Sequence, residues 1–183
     1  MDIKKRSRFQ MRLDLKVESE IGLRMDSVIL QLQKLAHDYK IHQKDKKTPF
    51  RNILAVAMEF SASLESIKGF IKYQIGRANS SPIWKHSLGD KLFATKLAEE
   101  LNALSKYTND IINSLENSDA ENNDVSEYLK NPQQKAALTK EIHLKLARLY
   151  LGYLAREHTA LVGENKIMEN LRKEKNKHAK PVR

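Results

Sequence analysis

Apolar residues recur at three- and four-residue spacing along almost the whole chain, and no period-two run is long enough for a strand. The pattern predicts an all-α protein. Its clearest stripe, Ile21, Met25, Val28, Leu32, Leu35 and Tyr39, predicts a core-facing helix over residues 18–39. Before it, Lys4, Lys5, Arg6, Arg8, Arg12 and Lys16 alternate with Phe9, Leu13 and Val17. This basic arm, residues 1–17, reads either as a short helix or as a segment that orders on meeting a partner. After a lysine-rich connector, Thr48 and Pro49 supply a helix N-cap and a first-turn proline. Phe50, Ile53, Ala57, Phe60, Leu64, Ile67 and Ile71 then predict one uninterrupted helix to residue 77, a rod of roughly 42 Å. Ser61, Ser63, Ser66 and Gly69 put small side chains on that rod, where another backbone can approach or water can lie.

Asn79, Ser80, Ser81 and Pro82 end the rod. Trp84 follows, and closing one end of the core fits it better than binding a base. A further helix is expected over residues 87–116, on Leu92, Leu97, Leu101, Leu104, Ile111 and Leu115. Residues 117–127 hold no basic side chain and read as an exposed loop, leading into a brief turn at 125–129. Asn131 and Pro132 repeat the cap-plus-proline device and open a last long helix, which Gly163 is expected to interrupt. The architecture expected is an antiparallel helical bundle of four to five helices, residues 18–163, with a basic arm at 1–17 and a basic helix or tail at 164–183.

Length and charge narrow the class. A chain of 183 residues can bury a real core without metal or disulfide staples. There are no cysteines, which excludes thiolate zinc sites and cysteine nucleophiles and fits a reducing compartment. No apolar run follows the first basic residues, and no stretch reaches the roughly 18 apolar residues of a membrane span. A cytoplasmic protein without a membrane partner is expected. The formal charge of +10 and a pI near 9.7 point to a polyanionic partner, nucleic acid or an anionic membrane surface, with nucleic acid first and plain solubility as the alternative.

Enzymatic motifs are missing. None of the six histidines falls in His-Glu-x-x-His or Glu-x-x-His spacing. His37, His42, His86, His143, His158 and His178 are each expected at the surface or rim. Phosphate-cradling glycine loops and the G-x-S-x-G elbow are absent too. Glu99 and Glu100 are adjacent and point about 100° apart on a helix, a poor geometry for paired acid–base work. No cofactor and no metal are expected, and catalysis would need an unrecognised, dispersed site.

The basic residues suggest binding instead. Lys68 and Lys72 share a helical face, Arg77 lies at the end of the same predicted rod, and Arg51 near its start. Lys46 and Lys47 precede it in the connector. Two readings stay open: a ridge that follows a phosphate backbone, or scattered surface charge. Nothing resembles a base-reading motif, so contact independent of sequence is the natural expectation.

Residues 72–77, KYQIGR, resemble a motif of the small, all-helical subunit of type III CRISPR effector complexes. Residues 48–54, TPFRNIL, resemble that family's capped helix start, and residues 144–158, LKLARLYLGYLAREH, resemble its late tyrosine-bearing helix. The order and approximate spacing agree over residues 21–161. The chain departs from the pattern in a longer loop at 117–123 and in its basic ends. The resemblance implies a non-catalytic subunit, several copies of which stack beside the backbone subunits and touch the large subunit. It implies contact with the backbone of target RNA paired with guide RNA, with Arg51, Lys72 and Arg77 as first candidates and Tyr73 in a packing role. The alternative is a freestanding helical nucleic-acid-binding or adaptor protein that uses its basic ends.

Overall fold

The structure is a computed structural model that describes residues 3–44, 49–59, 61–117 and 124–178. Thr48, Phe60, Lys46, Lys47 and residues 118–123 of the loop expected over 117–127 lie outside the described residues. Among the described residues the protein is all-α apart from one very short hairpin.

The first helix, α1 (Ile3–Asp38), is longer than its stripe implies. It runs without a break through residue 17, the expected edge of the arm. Leu13 and Val17 are buried with Ile21, Val28, Leu32 and Leu35, so one apolar face is continuous across that edge. The Phe9 ring lies 5.3 Å from Tyr128, and Arg12 pairs with Asp124. Lys40, at φ 46°, turns the chain after α1 into the single-turn α2 (Ile41–Lys44).

The predicted rod is two helices, α3 (Phe50–Met58) and α4 (Leu64–Gly76). Serine chemistry breaks it. The Ser63 hydroxyl accepts from the Ser66 N–H at 3.1 Å, and the Ser66 hydroxyl accepts from the Ser63 N–H at 2.9 Å, a reciprocal cap that starts a new helix. Glu59 is extended, at ψ 147°. Arg148, from the last helix, donates through Nε to the Ala57 carbonyl at 2.7 Å and so satisfies an end group of α3.

A 3₁₀ turn (Pro82–Lys85) follows, then strands β1 (Ser87–Leu88) and β2 (Lys91–Leu92), paired antiparallel through Gly89 at φ 62°. Two residues per strand are too few to show a period. The helix expected over 87–116 is therefore preceded by this hairpin and divided in two, α5 (Phe93–Ala103) and α6 (Ser105–Glu116), at Leu104. The brief turn is the helix α7 (Asp124–Leu129).

The last helix, α8 (Pro132–His178), has 47 residues, about 70 Å. The Asn131 side-chain oxygen accepts from the N–H groups of Gln133 and Gln134 at 2.9 and 3.2 Å, the cap read from the sequence. Gly163 does not interrupt it. One glycine costs up to about 1 kcal/mol, too little to end a helix already nucleated on both sides. Past Leu161 the helix leaves the core, and Lys166, Ile167, Met168, Leu171, Arg172, Lys173 and Lys175 are exposed.

Side-chain pairs give the directions. Glu18 meets Lys145 and Gln33 meets Glu157, so α1 and α8 run parallel. The α5–α6 arm runs against both: Arg24 reaches the Asp110 carbonyl, Lys135 pairs with Glu116, and His143 lies 2.8 Å from the Leu101 carbonyl. Trp84 closes one end of the core as expected, with its ring 5.7 Å from Phe50 and 5.9 Å from Phe93. His158 corrects the histidine expectation. It is buried, edge-on to Phe50 at 5.5 Å, because its turn of α8 faces the core. No helix among the described residues is long and apolar enough to cross a membrane.

Candidate nucleic-acid interface

The segment IKYQIGRANSSP forms the end of α4 and the corner that follows. Ile67, Ile71 and Gln74 are buried and Phe70 and Ile75 half-buried, so the opposite face of α4 looks outward. On that face stand Lys72 and Tyr73, with Gly69 and Gly76 one turn away on either side. The chain leaves the helix at Arg77, at ψ 127°, with its N–H still donating to the Tyr73 carbonyl at 3.1 Å. It then turns through residues 78–81 into the 3₁₀ turn, anchored by buried Ile83 and Trp84. From that turn Lys85 donates to the Arg77 carbonyl at 2.9 Å. The corner thus rests on the aromatic core and carries Lys72, Arg77 and Lys85, all exposed. Among the described residues no ion pair engages any of the three.

Two of the other sequence candidates, Lys68 and Arg51, are placed differently. Lys68 is turned down: its side chain is only 15% exposed, paired with Glu65 at 2.5 Å and donating to Asn102 at 2.9 Å. Arg51 is exposed on α3, a helix separate from the α4 that carries Lys72, so it does not share one continuous rod with Lys72. It lines an open groove of about 770 Å³ between α3 and α8, with Leu54, Gly152, Arg156 and Gly163. Arg156 lies 5.0 Å over the Tyr153 ring. Lys46 and Lys47 fall outside the described residues. Tyr73 differs from its expected packing role, being 59% exposed. Lys85 was missed by sequence reasoning; its one signal is a lysine directly after a proline turn that a buried tryptophan pins.

Carboxylates elsewhere serve structure. Glu99 pairs with Lys91 at 3.0 Å, and buried Glu100 pairs with Lys96 at 2.5 Å and accepts from Gln31. That contact raises the Lys96 pKa, the hydrogen bond to Glu100 acting most strongly. No group of three or more metal-ligating side chains occurs among the described residues.

Comparison with known proteins adds no relative: no protein-family model, curated protein or solved structure matches the chain.

Proposed function

We propose that this chain is a non-catalytic small subunit of a type III CRISPR ribonucleoprotein complex, contacting the backbone of target RNA paired with guide RNA. The observation that carries the binding part is the exposed cation set Lys72, Arg77 and Lys85, with no ion pair among the described residues, on a corner anchored by buried Ile83 and Trp84 and by the Lys85 hydrogen bond to the Arg77 carbonyl. Point charges on a fixed frame bind phosphates without reading bases. The assignment to that class of complex rests on the resemblance in residues 48–54, 72–77 and 144–158. Its partners on this reading are the guide and target RNA, the large and backbone subunits, and further copies of itself. Arg51, on the α3–α8 groove, stands outside the proposed contact.

Purification of the tagged chain from its host tests the assignment: guide RNA and larger subunits are expected to come with it. Target-RNA binding by that assembly is expected to weaken on Lys72→Ala with Arg77→Ala, equally for unrelated sequences. A loss confined to one sequence contradicts backbone contact. The alternative, a freestanding nucleic-acid-binding or adaptor protein, draws on the α8 extension with its exposed Ile167, Met168 and Leu171 beside Lys166, Arg172 and Lys173. Recovery of nucleic acid without guide RNA or large subunits favours it.

A further inference from the structure

We propose that Tyr73 is a stacking platform for an unpaired nucleobase, so that the α4 corner prefers single-stranded nucleic acid to a uniform duplex. The inference rests on the reading above that this corner meets the backbone of the target strand, and adds that the base of that strand lying at Tyr73 stands outside the pairing with the guide.

Three observations converge on Tyr73. First, a large aromatic side chain stands 59% exposed on a helix whose opposite face is buried by Ile67, Ile71 and Gln74. The Phe70 ring lies 6.5 Å away and tilted by 46°, one turn back on the same helix, so it props the tyrosine from one side without covering it. Second, the helix is bare around the ring. Gly69 and Gly76, four residues before and three after, share its outward face, and a Cβ placed at either would meet no atom within 4 Å. Neither glycine is there to let another part of the fold come close, and neither has a positive φ. What they leave is clearance for a flat ligand beside the ring. Third, Lys72 adjoins the tyrosine and Arg77 lies four residues on, both exposed, with no ion pair engaging either among the described residues.

An aromatic ring flanked by cations, with open space around it, matches what single strands need. Phosphates are neutralised along the backbone while each base offers a π-face to stack. A base inside a duplex has both faces stacked on its neighbours, whereas a base of a single strand unstacks readily and offers a face. A tyrosine that only filled a core would be buried.

The test uses the full chain and three probes: a short single-stranded RNA, its blunt duplex, and an abasic ribose-phosphate strand of equal length. Wild type is expected to bind the single strand best. Tyr73→Ala is expected to weaken that binding about tenfold, within the range for loss of one base–aromatic stack, and to leave the abasic strand unaffected. Tyr73→Phe keeps the ring and is expected to bind as wild type does. Tyr73→Trp is expected to show fluorescence quenching with the RNA and none with the abasic strand. Because the side chain is exposed, these variants are expected to melt as wild type does.

The inference is overturned, with backbone binding left standing, if Tyr73→Ala binds RNA normally while Lys72→Ala with Arg77→Ala does not. It is overturned also if Tyr73→Ala weakens the abasic strand equally, or if Tyr73→Phe fails like alanine, since the hydroxyl would then carry the contact. Wild type that binds none of the probes removes both readings.

Discussion

Tyr150 shows how one side chain carries information that its position alone hides. The sequence places it on the apolar face of α8, and the structure buries it fully. Its hydroxyl has no hydrogen-bond partner among the described residues. Burial, with the Glu100 carboxylate adding to it, drives the phenol's pKa far above the ordinary tyrosine value. The folded state therefore keeps a proton that the unfolded chain releases near pH 10. Stability is complete below that pH and falls as pH rises above it. Tyr39, raised chiefly by burial, and Lys96, raised chiefly by its hydrogen bond to Glu100, act with the same sign. Tyr150→Phe is expected to stabilise the protein by about 1 kcal/mol at pH 7, since it removes an unsatisfied buried hydroxyl. It is also expected to flatten the loss of stability above pH 10. Urea denaturation at pH 7 and pH 11 checks both, and a destabilised variant at pH 7 means that the hydroxyl has a partner. The candidate site was legible at this scale only in part. Lys72 and Arg77 emerge as outward cations because their helix period is intact. Lys68 does not, because Asn102, one of the groups that hold it, is distant in sequence.

Among the elements, caps and breaks decide what the apolar stripe cannot. The spacing Ile53, Ala57, Leu64, Ile67, Ile71 stays in helical phase across residues 59–63, so periodicity reads one rod where the reciprocal serine cap makes two. The same holds at Leu104 between α5 and α6. Where polar chemistry is local and unambiguous, as at Asn131 and Pro132, the start of α8 was readable directly. Arg148 is the long-range counterpart: it satisfies the end of α3 from α8, and nothing in sequence announces that. Arg148→Ala is expected to cost about 1.5–3 kcal/mol, the range for a hydrogen bond to a charged donor, and to lower Tm accordingly. An unchanged Tm places water on the Ala57 carbonyl instead. Gly163 supplies the converse case. A glycine inside a continuous, exposed helix has open space at its Cβ position. Gly163→Ala is expected to raise stability by up to about 1 kcal/mol and to increase helical ellipticity slightly. A fall in stability would mean that α8 bends or ends there.

For the whole molecule, the charge of +10 is a sum, and its distribution is what matters. Many basic side chains are absorbed locally: Arg12 by Asp124, Arg24 by Glu20, Lys135 by Glu116, Lys145 by Glu18. What remains outward includes the α4 corner and the extension of α8. The parallel pair α1 and α8, with α5–α6 running against them, buries the aromatic cluster of Phe50, Trp84 and Phe93 that holds the corner in place. The central claim is that this corner grips phosphates by charge. The salt dependence of RNA affinity tests it most directly, comparing wild type with Lys72→Ala/Arg77→Ala/Lys85→Ala on a single-stranded RNA from about 50 to 200 mM salt. Each phosphate contact contributes about 0.7 to the slope of log affinity against log salt on a single strand, so losing three is expected to flatten it by about 2. A triple variant with the slope and affinity of wild type would contradict the account.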